Sequence, residues 1–165
     1  MAHGLPVSGV VPISEMWSED EEETQRLQNM ENRARDFITN FAWCEGIRAF
    51  YYGAGIGDVF GVYLAHIMPA RQSVDEYLWI VVGDLPSAYL VTDDCPGPRE
   101  ALEGYIWEMR KWVALAKQRK TSKDVIPVDV PATPEWAERL EVRLDALEQK
   151  IIPSLFTSAD HDSPE

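Results

Sequence analysis

Apolar residues in the first third of the chain recur at intervals of three and four: Leu27, Met30, Ala34, Phe37, Ile38 and Phe41. That period puts them on one face of a helix. Ser18 and Glu21 fit the S-x-x-E capping box, in which each side chain satisfies a free amide of the first turn, so the helix is expected to open at Ser18. The run Glu19-Asp20-Glu21-Glu22-Glu23 suits the positive end of the helix dipole and reads as a helix start rather than a metal site. Gly46 is the expected stop. Residues 1–17 show little periodicity and contain Gly4, Pro6, Gly9 and Pro12. They read as a flexible arm, with Val10, Val11 and Ile13 able to pack on the body.

The middle of the chain changes period and reads as β. Residues 47–52 suggest a short strand, followed by a glycine-rich turn over 53–61 within "YYGAGIGDVFGVY". Residues 59–68 form the next strand and end at Pro69. "YLWIVV" (77–82) and "AYLVT" (88–92) follow, joined by Gly83-Asp84-Leu85-Pro86-Ser87, whose composition predicts a hairpin. In "YLWIVV" both alternating sets are apolar: Tyr77, Trp79 and Val81 on one face, Leu78, Ile80 and Val82 on the other. A sheet apolar on both faces must be covered on both, by helices or by a second subunit.

Helical periodicity then returns. Pro98 suits a first helical position, and Leu102, Tyr105, Ile106, Met109, Trp112, Val113 and Ala116 keep the helical spacing. Residues 121–131 read as a linker with one extended piece over 125–130. Thr133 and Pro134 have the chemistry of a cap and a first helical residue, and Trp136, Leu140, Leu144, Leu147 and Ile151 form the last apolar stripe. Pro153 is expected to end that helix. The expected fold is α+β: a small antiparallel sheet of three to four strands, packed by a long N-terminal helix and two C-terminal helices. A single domain would cover 18–156, with a disordered acidic tail over 157–165.

Charge changes this picture less than its total of −13 suggests. Six acids lie in the first 23 residues and three in the last 13, with no Lys or Arg in either stretch; the rest carries 19 acids against 15 bases. Acidity persists in the middle, where residues 45–94 hold seven acids and only Arg48 and Arg71. Arg110, Lys111, Lys117, Arg119, Lys120 and Lys123 cluster near the end of a predicted helix, where they would meet the negative end of its dipole. A chain so acidic overall repels polyanions, which argues against nucleic acid as a partner. No apolar run approaches the roughly 18 residues of a membrane span. With no secretory signal pattern, Cys44 and Cys95 read as free thiols in a reducing cytoplasm.

The candidate chemistry is thin. A phosphate-binding P-loop needs G-x-x-x-x-G-K-[ST], yet Asp58 follows Gly53 at that distance and no Lys precedes residue 110. "GIGDVFG" resembles a variant dinucleotide turn, but such a turn must open a helix, and "VFGVYLAHI" has the residues of a strand. The glycines therefore read as a turn or bulge. His66 falls on an apolar strand and reads as a structural histidine. No zinc or calcium pattern is present, and no cofactor is implied. Asp58, Asp84, Asp93 and Asp94 lie near predicted strand ends, where carboxylates could converge as an acid/base pair. Asp93 and Asp94 also precede a helix start, where negative charge is favoured anyway. Cys44 has no identifiable base partner.

What remains is an acidic middle section rich in Trp and Tyr, which suits recognition of a basic protein partner. Trp43, Tyr51, Tyr52, Asp58, Asp93 and Asp94 are the candidate partner-binding residues. A small acidic α+β domain without a catalytic signature is similar in profile to many bacterial immunity and inhibitor proteins, a likeness of composition that specifies no family. The expected function is thus a non-catalytic cytosolic binding domain that neutralises a toxin or regulates an enzyme. Two alternatives stand beside it. One is a small enzyme or ligand-binding protein with a pocket beside the glycine turn, using Asp58, His66 and Tyr52. The other is a homodimer, in which a second copy covers the two-sided sheet.

Overall fold

In the computed structural model, which describes residues 5–15, 19–57 and 59–161, the N-terminal helical period becomes helix α1, Glu21–Thr39. Its cap is Asp20, whose carboxylate accepts the Glu22 N–H at 3.0 Å, while Ser18 lies outside the described residues. An acid at this position satisfies an orphan amide and also meets the positive dipole end. The helix stops well short of Gly46. Asn40 forms its C-cap, and the Phe41 N–H bonds to Ile38 O and the Cys44 N–H to Phe41 O. These two turns swing the chain round and let Phe41 stack on Trp43. Gly46 is already inside the following strand.

The chain divides into two compact units, Met1–Leu102 and Glu103–Glu165. In the first, five strands form one antiparallel sheet in chain order: β1 (Val11–Pro12), β2 (Cys44–Ile56), β3 (Phe60–Pro69), β4 (Tyr77–Gly83) and β5 (Ala88–Val91). The fold is α+β as expected, but the sheet is larger than three to four strands. The addition is β1, from the segment read as a free arm: Val11 pairs with Tyr52 and Pro12 with Tyr51. A proline is acceptable there because β1 is an edge strand, whose outward donor is not needed by a ladder.

The glycine stretch differs more. β2 does not end at Tyr52 but runs on through Gly53 and Gly55 to Ile56, with irregular register around Gly53. Ile56 pairs directly with Phe60, so the turn shrinks to residues 57–59. Gly57 takes the positive φ of 44° that this tight connection needs, and the Val59 N–H closes it on Ile56 O at 2.8 Å. Gly61 is required for a different reason. A Cβ there would sit 2.8 Å from both Met30 Cγ on α1 and Tyr63 Cε1. The missing side chain is what lets the helix lie close to the sheet.

Both sheet faces are buried. On one face, Phe50, Tyr63, Ala65, Ile67, Leu78, Ile80 and Val82 share a core with Leu27, Met30, Ala34 and Ile38 of α1. Each large apolar side chain buried in this way contributes about 1.5–3 kcal/mol. On the other face Val62, Leu64, Trp79 and Val81 are fully buried, and the Trp79 indole N–H donates to Cys95 O at 2.8 Å.

Helix α2 (Pro98–Ala116) runs into the second unit, which also holds α3 (Pro134–Ala146) and α4 (Ile152–His161). Thr133 caps α3 by accepting the Trp136 N–H at 3.3 Å, with Pro134 in the first turn, as the sequence predicts. The basic cluster has a use other than the helix dipole. Arg110 donates to Asp145 (3.0 Å) and Glu148 (2.6 Å), and Lys117 pairs with Glu141 at 2.8 Å, which sets α2 antiparallel to the last helices. Pro153 does not terminate them. A π-helical turn over Leu147–Ile151 precedes it, with the Ile152 N–H bonded five residues back to Leu147 O. The wider turn makes room for a residue that lacks an N–H, and the helix continues as α4. Residues 125–130, expected to be extended, contain no strand.

Candidate functional site

The apolar stripe of α1 continues beyond the end of the helix. Phe37 meets Phe41 edge-on at 5.3 Å, Phe41 stacks on Trp43 at 4.8 Å, and Tyr89 of β5 meets both, at 5.3 and 5.1 Å. Aromatic pairs of this geometry contribute about 0.5–1.5 kcal/mol each beyond their buried area. They hold Trp43 as a wall beside the last strand of the sheet. Next to it lies an open groove of about 270 Å³, lined by Trp43, Val74, Asp75, Leu78, Tyr89 and Val91.

The register explains why the groove forms here. Leu78 pairs with Val91 and Ile80 with Tyr89, so Tyr89 and Val91 point to the same face as the α1 core. They lie on a four-residue edge strand, and they remain 37% and 42% exposed. The loop from β3 to β4 supplies Val74 and Asp75 as the opposite wall. The surroundings are mainly acidic, although exposed Arg71 shares a turn with Val74, whose N–H bonds to Arg71 O at 3.1 Å. Between Arg71 and Arg99 the chain has five acids (Asp75, Glu76, Asp84, Asp93, Asp94) and no Lys, Arg or His.

Asp93 and Asp94 are exposed in the turn that follows β5, closed by the Cys95 N–H on Thr92 O at 3.1 Å. The Cys95 thiol is pushed up by burial, then by the Asp94 and Glu100 carboxylates, which makes it a poor nucleophile at neutral pH. Cys44 and Cys95 are both free and buried.

Of the six residues singled out from sequence, the five that are described do not lie together. Trp43, Asp93 and Asp94 belong to the sheet end where β2 begins and β5 ends. Tyr51 and Tyr52 lie within β2 on opposite faces, both bordered by β1. The Tyr52 hydroxyl donates to Gly55 O at 3.5 Å and its ring meets Tyr63 edge-on at 5.9 Å; burial, then Glu23, raises its phenol. Asp58 lies outside the described residues and follows Ile56, the last residue of β2, by two positions in the sequence. Thirteen residues at ~3.3 Å each separate the two ends of that strand by roughly 40 Å, less what the bulges shorten. The groove residues that went unnamed were Ser73, Val74 and Asp75 in one loop and Tyr89 and Val91 on β5. For Tyr89 and Val91 the signal was the shortness of "AYLVT", set between Pro86 and two aspartates, which marks a short edge strand.

Of the proposed pocket residues Tyr52 and His66 do not converge, and Asp58 lies outside the described residues. His66 stacks on Tyr77 at 4.2 Å and shares a hydrogen bond with Glu76 at 3.2 Å. It stands on the face opposite Tyr52, because His66 aligns with Tyr77 and Tyr52 with Tyr63, an odd number of positions away. Asp84 follows β4 at the sheet end opposite Asp93 and Asp94, which separates it from those two carboxylates. Among the described residues no three His, Cys, Asp or Glu side chains gather as metal ligands, and no helix is long and apolar enough to cross a membrane. No family model matches the chain, and no curated protein or solved structure is detectably similar to it.

Proposed function

We propose that this is a non-catalytic protein-binding domain of the immunity or inhibitor kind, which acts in the cytoplasm on a basic protein partner. The observation that carries the reading is the groove between Trp43 and the exposed Tyr89 and Val91, an apolar and aromatic surface within an acidic region. Aromatic side chains supply interface anchors, and an excess of acidic charge around them steers a basic partner. The binding residues on this reading are Trp43, Asp93 and Asp94, joined by Asp75, Tyr89 and Val91. Two buried free thiols suit a reducing compartment. The separation of Tyr52 from His66 favours binding over catalysis.

The test is affinity capture from the native host with the wild-type chain and with a Tyr89→Arg/Val91→Lys variant. Tyr89 and Val91 are 37% and 42% exposed, and thermal unfolding of the variant checks that the fold is kept. The expected result is one stoichiometric partner recovered by the wild type and lost by the variant. A partner retained equally by both, or none recovered by either, overturns the proposal.

A further inference from the structure

The edge that borders the groove has a use of its own. β5 is the last strand of the sheet, so alternate residues of Ala88–Val91 direct their N–H and C=O groups away from β4. Such an edge is a template for one more strand. Natural sheets blunt exposed edges with inward charges, covering loops or prolines. Here the outer strand presents Tyr89 and Val91 beside an open apolar groove, with Asp75 on its wall and Asp93 and Asp94 at its end. A second copy of this chain is a poor occupant, because two edges surrounded by the same acids repel each other. The complementary occupant is an extended segment carrying Lys or Arg.

We infer that the partner docks by strand addition: an extended basic segment pairs its backbone with β5, and alternate apolar side chains enter the groove between Trp43, Leu78 and Tyr89. Lys or Arg side chains at the end of the segment lie beside Asp93 and Asp94, which follow β5. Main-chain bonds then supply affinity and the groove supplies register, since a strand presents every second side chain to one face. This inference rests on the protein-binding reading of the same groove and adds the mode and chemistry of the partner.

The test uses the full chain and three capped synthetic heptapeptides. The first is Lys-Val-Lys-Val-Lys-Val-Lys. The second replaces every Lys with Glu. The third is the basic peptide N-methylated at every residue, which keeps the side chains and charge but has no backbone donor. Binding is measured by calorimetry and by amide hydrogen exchange resolved at residues 88–91. The expected result is binding by the basic peptide alone, weakened about tenfold or more by N-methylation. Saturation should slow exchange of the outward β5 amides by about tenfold or more.

Equal binding of the N-methylated peptide, or binding without protection of β5, overturns strand addition. Equal binding of the acidic peptide, or no binding of the basic one below ~1 mM, overturns the assigned partner chemistry. Sedimentation showing a dimer that Val91→Lys dissolves would give the edge to a second copy, and that also overturns the inference. No native partner enters this titration. Its failure therefore leaves the capture experiment standing, and failure of the capture experiment leaves the titration standing.

Discussion

One face of one sheet carries two aromatic clusters with different fates. Beneath α1, Phe50 stacks on Tyr63 at 5.3 Å, and the rings are 4% and 0% exposed. Beside β5, Phe41, Trp43 and Tyr89 pack at similar distances, yet Tyr89 stays 37% exposed. The residue types are alike, so chemistry does not separate the clusters. Position does. α1 lies along β2, β3 and β4 and ends at Thr39, which leaves the β5 margin uncovered on that face. An aromatic becomes core or surface according to whether a helix reaches it.

The largest expected effect tests that distinction directly. Ile38 is fully buried in the last turns of α1, so Ile38→Ala should cost about 2–5 kcal/mol in urea unfolding, from lost transfer energy and the cavity left behind. Val91→Ala, at the groove, should cost less than about 1 kcal/mol. Equal losses at the two positions would erase the contrast and place the groove in the core. The next effect concerns how closely α1 approaches the sheet. Gly61→Ala puts a Cβ against Met30 and Tyr63 in a packed interior and should cost about 1–3 kcal/mol. A neutral result in thermal unfolding would mean that α1 sits further away than these distances require.

The covered region was far more legible in the sequence than the open one. Leu27, Met30, Ala34 and Ile38 lie where a 3.6-residue period puts them, because burial of a stripe imposes that period. Strands β3 and β4 could be read because two-sided burial leaves continuous apolar runs. The glycine stretch misled for a physical reason. Gly53, Gly55 and Gly61 have turn composition, but they serve close approach within paired strands, and only the register of β2 on β3 reveals it. β1 was illegible because two residues carry no period and form a strand only by borrowing one from β2. The groove was half legible. Trp43 stood out as an aromatic in an acidic section, but its partner Tyr89 depends on β5 being the last strand, which is a property of strand order and not of local residues.

A smaller effect lies inside the covered cluster. The Tyr63 hydroxyl is buried without a hydrogen-bond partner, a destabilising arrangement. Tyr63→Phe keeps the ring and removes the orphan oxygen, so it should stabilise the chain by about 1 kcal/mol. Burial, then Tyr52 and Glu31, hold the Tyr63 phenol above its ordinary value of 10.0 in the folded state. The unfolded chain titrates near that ordinary value. Below it both states keep the proton and the full stability is present; above it the unfolded chain releases the proton first, and stability falls as pH rises. Removal of the phenol should flatten this alkaline decline, so the advantage of Tyr63→Phe should widen above about pH 10 in equilibrium unfolding. An advantage that stays constant with pH would show that this phenol titrates alike in both states.

The smallest expected stability effect is at Val91, where the open region can be separated from the covered one by binding alone. Val91→Thr keeps a β-branched side chain on an edge strand and replaces one methyl by a hydroxyl at a position already 42% exposed. Stability should change by less than about 0.5 kcal/mol, because surface substitutions away from caps, cavities and buried polar groups rarely do more. Affinity for the basic heptapeptide should still fall about threefold, since the hydroxyl must be desolvated when an apolar side chain enters the groove. Thermal unfolding and calorimetry on the same sample read the two quantities. If Val91→Thr left peptide affinity unchanged while lowering stability, Val91 would belong with the residues under α1, and the groove would lose its floor at the edge strand.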